Sequence, residues 1–209
     1  MAVLRYTVGV LRYAITDCSR FPSAAERKTN LLADAARWAG QGIDFVQLRE
    51  KTLAAGEMLD LAEALAAALE QSRSGTKLLL NGRADVALAA YADGVHLTSD
   101  LDELTAAEVR TLFEQLGRKP PLIAASCHSP AEVARARAEH IDLIVFGPVF
   151  EKRVKGTLLR EGIGLTALRD AVQAAGATPV LALGGIDRSN ASLCLEAGAA
   201  GIAGIRLFS

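Results

Sequence analysis

The chain lacks any excess of charge: its 209 residues carry 23 Lys+Arg against 24 Asp+Glu, a net charge of −1. So even a balance gives no electrostatic footprint for nucleic acid, and none is expected as a partner. No apolar stretch approaches the length that spans a bilayer, so no membrane partner is expected either. Cysteine is scarce. Cys18, Cys127 and Cys194 are odd in number and widely spaced, which excludes a zinc spacing or a disulfide framework and fits a reducing cytoplasm. The opening residues Met1 to Leu11 lack the charged start and cleavage site of a signal peptide and read as a lead-in strand or packing arm. No linker divides the chain, so residues 1–209 are expected to form one domain.

What is present is apolar: 51% of the residues are hydrophobic, enough for a large core. They alternate between strand-like and helix-like stretches. Strands are expected at 13–17, 45–49, 77–81, 94–97, 122–126, 143–150, 179–183 and 201–205. Helices are expected at 26–39, 58–71, 84–90, from Thr105, from Ser129, at about 166–175 and at about 188–197. Thr105 with Glu108 reads as a capping box, and Ser129-Pro130 as a cap followed by a first-turn proline. Eight strands alternating with helices predict an α/β fold, a single (β/α)8 TIM barrel, with right-handed crossovers. An open doubly wound sheet is the alternative, but no glycine-rich fingerprint follows the first strand. After the eighth strand only Ser209 and its few neighbours remain, so the eighth outer helix is expected to be missing or truncated. The wall between the first and seventh helices would then need cover, from the segment Ala2 to Val10 or from a second subunit, so a homo-oligomer is a possible assembly.

In this fold the chemistry sits at the carboxyl ends of the strands. Gln47 and Arg49 share one side of the second strand, with Lys51 just beyond, and an amide beside a guanidinium suits a phosphate or a flat heterocycle. An Arg49–Glu ion pair inside the barrel is the competing reading. Asn81-Gly82-Arg83 ends the third strand and offers a side-chain amide, or is a simple turn. Ser126 and His128 share a face at the end of the fifth strand, with Cys127 on the other. A histidine at position 128 suits a general acid or base, unless it merely caps the next helix. His96 is expected to be a satisfied interior group, and His140 to be exposed. The stretch 151–162, with four cations and two glutamates, reads as a long loop that includes Lys155 and suits an anion. Gly184-Gly185, with Ile205 and Arg206 after the last strand, occupies the fold's usual phosphate position, where bare N–H groups can approach an anion.

Taken together, Tyr13-Ala14-Ile15-Thr16-Asp17, Gln47-Leu48-Arg49-Glu50-Lys51, Asp93-Gly94-Val95-His96-Leu97, Ser126-Cys127-His128, Phe146-Gly147-Pro148-Val149-Phe150 and Leu183-Gly184-Gly185-Ile186 resemble the thiamine phosphate synthase/TenI superfamily. The resemblance runs along essentially the whole chain. It implies a small phosphate ligand, thiazole phosphate or thiamin phosphate. Synthases of the superfamily join a pyrimidine pyrophosphate to thiazole phosphate with Mg²⁺ held by two aspartates. Those two positions fall on Gly82 and on Leu101, which Asp100 and Asp102 flank. The two threonine positions of the sixth loop fall on Lys152 and Val154, while Lys155 matches. The TenI branch, the thiazole tautomerases, looks closer: it needs no metal or other cofactor, and its acid/base histidine maps onto His128. A synthase using Mg²⁺ and a non-catalytic phosphate-binding paralogue are the alternatives. Arg206 stands where the superfamily usually has a small residue.

Overall fold

The computed structural model describes residues 9–19, 21–98, 103–154 and 157–208, without the side chains of 152–154, 157 and 159. Its elements are β1 (Leu11–Ile15), α1 (Ala24–Gly40), β2 (Phe45–Leu48), α2 (Ala55–Ser72), β3 (Lys77–Asn81), α3 (Ala84–Ala89), β4 (Gly94–Leu97), α4 (Ala106–Gln115) and β5 (Leu122–Cys127). Then follow α5 (Pro130–Ala138), β6 (Leu143–Phe146), β7 (Lys152–Val154), β8 (Thr157–Arg160), α6 (Gly164–Ala175), β9 (Val180–Leu183), α7 (Ala191–Glu196) and β10 (Gly201–Gly204).

Eight parallel strands close into a barrel in the order β1-β10-β9-β6-β5-β4-β3-β2. The expected (β/α)8 fold is what forms. Each strand is short and apolar, so alternate side chains feed two separate layers. Tyr13, Phe45, Leu79, Leu143, Val145 and Leu181 fill the barrel interior. Ala14, Val46, Leu80, Ile123, Ile144 and Phe146 face outward, against helix residues such as Trp38, Leu65, Val109 and Leu168. Because the strands are parallel, their carboxyl ends all open at one mouth.

The helix starts follow from local hydrogen bonds. Ser23 and Thr105 form capping boxes with Glu26 and Glu108, and Ser129 accepts from the N–H of Glu132. Three expectations need correction. The stretch 151–162 is not a plain loop: β7 and β8 pair antiparallel. The apolar run from Leu143 leaves the barrel after Phe146, and Val149 and Phe150 instead donate their N–H groups to the carbonyls of Leu183 and Gly184, 2.8 and 3.0 Å away. Finally, α7 starts at Ala191, later than expected. Asp187 accepts from the N–H groups of Ser189 and Asn190, and this turn consumes the residues before it.

Among the described residues no helix follows β10. The turn after it folds back on α1, where the carbonyl of Phe208 accepts from Trp38 Nε1 at 3.2 Å and Arg37 Nε at 3.3 Å. The expected cover from Ala2 to Val10 lies, up to residue 8, outside the described residues. Among the described residues no helix is long and apolar enough to cross a membrane.

Candidate functional site

Among the described residues, the barrel mouth gathers the candidate residues from five strands, β2, β3, β5, β9 and β10. Gln47 on β2 is 1% exposed, and its amide donates to Asn81 Oδ1 at the end of β3 over 3.2 Å. Arg49 follows β2 and is half-buried. Its backbone N–H donates to Thr16 Oγ1 at 2.9 Å, and that hydroxyl donates onward to Glu50 Oε1 at 2.5 Å. Glu50 is itself buried and also accepts from the N–H of Cys18. The alternative of an Arg49–Glu pair therefore fails: the neighbouring carboxylate is committed to β1. Among the described residues nothing pairs with the Arg49 guanidinium, although its charge helps to lower the pKa of His96. A half-buried cation without a counter-ion suits an anionic ligand. Lys51 is exposed on the turn beyond.

Asn81 is half-buried, and Gly82 takes φ +64°, which a glycine adopts without strain. A Cβ at Gly82 would lie 2.6 Å from Glu103 Oε1. Glu103 thus fills the space that a side chain at position 82 would take. Its two oxygens accept from the hydroxyl and the N–H of Thr98, both at 2.8 Å. Arg83 turns away and grips Asp85 through two bonds of 2.8 and 2.7 Å. Leu101, Asp100 and Asp102 lie outside the described residues, as does Lys155.

His96 is 2% exposed and satisfied on both ring nitrogens, as an interior group should be. Its partners were not foreseen: Nδ1 meets the Tyr13 hydroxyl and Nε2 meets Ser126 Oγ, each at 2.8 Å. Burial, and then the charge of Arg49, pulls its pKa down to about 3. Cys127 points the other way into the outer core, and burial pushes its thiol up to about 12.

His128 is exposed, and its ring is held by the carbonyl of Gly147, 2.5 Å from Nδ1. A carbonyl only accepts, so Nδ1 carries a hydrogen and the neutral ring offers its lone pair at Nε2. The backbone N–H of His128 donates to Glu132 Oε2 at 2.8 Å. Ser129 supplies the side-chain cap of α5, so the ring of His128 takes no part in capping.

The glycine pair ends β9 with φ +98° and +64°. A Cβ on Gly184 would sit 2.6 Å from Pro148 Cα, and one on Gly185 would sit 2.7 Å from the carbonyl oxygen of Glu151. Packing against the chain after β6 thus demands these glycines before any ligand does. Ile205 and Arg206 are exposed on the turn after β10. Among the described residues no hydrogen bond takes up the N–H groups of Gly185, Ile205 or Arg206.

Thr16, Glu50 and Glu103 at the mouth, and Tyr13 in the interior beneath it, were not expected from the sequence. Barrel closure places Tyr13, Thr16 and Glu50, while the loop before α4 places Glu103, and only the Thr16 and Glu50 places at strand ends carried a signal.

The family described as "Thiamine monophosphate synthase" matches residues 12–208. A thiamine-phosphate synthase of Chlorobium luteolum is 40% identical over 166 residues, 78% of this chain and 72% of that protein. One of Methanoculleus marisnigri is 38% identical over 173 residues, 81% of this chain and 76% of the other. Among solved structures, a thiamine phosphate pyrophosphorylase from Pyrococcus furiosus superposes with a TM-score of 0.75 at 28% identity, covering 94% of this chain and 85% of that one.

Proposed function

The chain belongs to the thiamine monophosphate synthase family, and from that premise we propose that its mouth takes a carboxythiazole phosphate and moves a proton on it, as a tautomerase. The observation that carries this reading is the hydrogen bond between His128 Nδ1 and Gly147 O. It orients the ring and leaves Nε2 as the base, which then returns the proton as an acid. The N–H groups of Gly185, Ile205 and Arg206, unpartnered among the described residues, would hold the phosphate, and Lys155, matched by the resemblance, would add its charge. Gln47, Arg49, Lys51, Asn81 and Ser126 would hold the heterocycle and its carboxylate. Three free, buried thiols support a reducing cytoplasm as its setting.

A second reading is a thiamine-phosphate synthase, favoured by the relatives' names and by Glu103. Glycine offers Mg²⁺ no oxygen, but Glu103 brings a carboxylate to the same place. Glu103 would then hold the ion, whose charge would steady a pyrophosphate leaving group.

Two assays separate the readings. The tautomerase should aromatise carboxythiazole phosphate in the presence of EDTA. If instead the protein only joins pyrimidine pyrophosphate to thiazole phosphate, and only with Mg²⁺, the first reading is wrong. Binding without either turnover would leave a non-catalytic paralogue.

A further inference from the structure

The Tyr13–His96–Ser126 chain crosses three strands, from the barrel interior to the mouth. Tyr13 is 0% exposed and packs among Leu11, Ile15, Phe45 and Leu79. His96 is almost as deeply buried, and Ser126 is half-buried at the open end. Burial holds Tyr13 protonated, far above its ordinary range, and holds His96 neutral.

A neutral imidazole donates once and accepts once. Only two arrangements of hydrogens therefore fit the two 2.8 Å bonds. In one, Tyr13 donates to Nδ1, Nε2–H donates to Ser126, and the hydrogen of Ser126 is left over. In the other every bond reverses, and the hydrogen of Tyr13 is left over. Among the described residues Tyr13 has no other hydrogen-bond partner, so the second arrangement strands a donor in an apolar interior. A buried unsatisfied donor bears its full desolvation penalty. The first arrangement leaves its spare hydrogen at the mouth, where water or a ligand can take it.

We propose that Tyr13 and His96 are positioning residues that fix the Ser126 hydroxyl as a donor toward the mouth, so that the site selects an anionic oxygen of its ligand at that point. The donor direction rests on the two hydrogen bonds and on the burial that keeps His96 neutral. Only the identity of the ligand rests on the tautomerase reading.

The test begins with ¹⁵N-histidine-labelled protein and long-range ¹H–¹⁵N correlation spectra. His96 should be found as the Nε2–H tautomer without ligand; the Nδ1–H tautomer would overturn the proposal. Tyr13→Phe should release the second tautomer and weaken binding of carboxythiazole phosphate about three- to tenfold in calorimetry. His96→Gln, whose amide can accept from Tyr13 and donate to Ser126, should bind better than His96→Leu. Unchanged tautomer and affinity in Tyr13→Phe would refute the idea, and if that variant fails to fold, the wild-type tautomer decides alone. Thiazole phosphate, which lacks the carboxylate, supplies the second arm. Ser126→Ala should weaken both ligands if the acceptor is the phosphate, and only the carboxylated one if it is the carboxylate. Failure of the wild type to bind either ligand would sink the functional reading and leave the tautomer result standing.

Discussion

Gly185→Ala separates a packing role from a ligand role. The backbone there has φ +64°, where an alanine costs about 1–2 kcal/mol. The new methyl would lie 2.7 Å from the carbonyl oxygen of Glu151 and 2.8 Å from both the Cβ and the carbonyl oxygen of Phe150. Two of these three atoms are backbone, so the segment after β6 must move, at about 1–3 kcal/mol for overpacking. Together the variant should lose about 2–5 kcal/mol, or roughly 5–20 °C in Tm for a chain of this size. Calorimetric melting without any ligand measures it. An unchanged Tm, with phosphate affinity alone reduced, would refute the packing argument and assign the glycine to the ligand.

Arg206→Ala should raise KM about tenfold while leaving kcat nearly unchanged, because an exposed cation that only holds phosphate serves ground and transition states alike; an equal loss in kcat would contradict this. His96 has a folded pKa near 3 against an ordinary 6.5, so the unfolded chain takes up a proton first as pH falls. The stability this group contributes is complete above about pH 6.5 and is lost toward pH 3, at up to about 1.4 kcal/mol per pH unit. Urea midpoints at pH 7 and pH 4.5 should therefore diverge more for the wild type than for His96→Gln. Burial holds Cys18 and Cys127 near 12 and Cys194 near 11, so a disulfide reagent at pH 8 should label the native protein at least about a hundredfold more slowly than the urea-unfolded chain. Rapid labelling of the native state would show that these thiols are not buried.

The barrel was legible because its strands are continuous apolar runs between capped helices. Ser129-Pro130 and Thr105 with Glu108 announced their helices from local chemistry alone. The hairpin β7–β8 was hidden because charge dominates its composition, and strand pairing there depends on backbone partners that composition does not encode. The mouth was legible wherever residues end strands, as at Gln47, Asn81, Ser126 and His128. Side-chain pairs across strands were not. His96 sits level with Asn81 and Ala124 only through the barrel's register, and this same register lets it reach Tyr13 and Ser126. His96 thus reads from the sequence as an interior group only, but its bond to Ser126 ties it to the mouth. Glu103 comes close to Gly82 through a loop fold, for which neither residue carries a local signal.

The most direct test of the tautomerase reading is the turnover of carboxythiazole phosphate by wild type and His128→Asn, in EDTA, with binding of the same ligand followed by calorimetry. A positioned acid or base is worth on the order of a hundred- to ten-thousand-fold, so kcat should fall by that factor while affinity changes little. Full activity in His128→Asn, or a wild type that turns over only with pyrimidine pyrophosphate and Mg²⁺, would contradict the account.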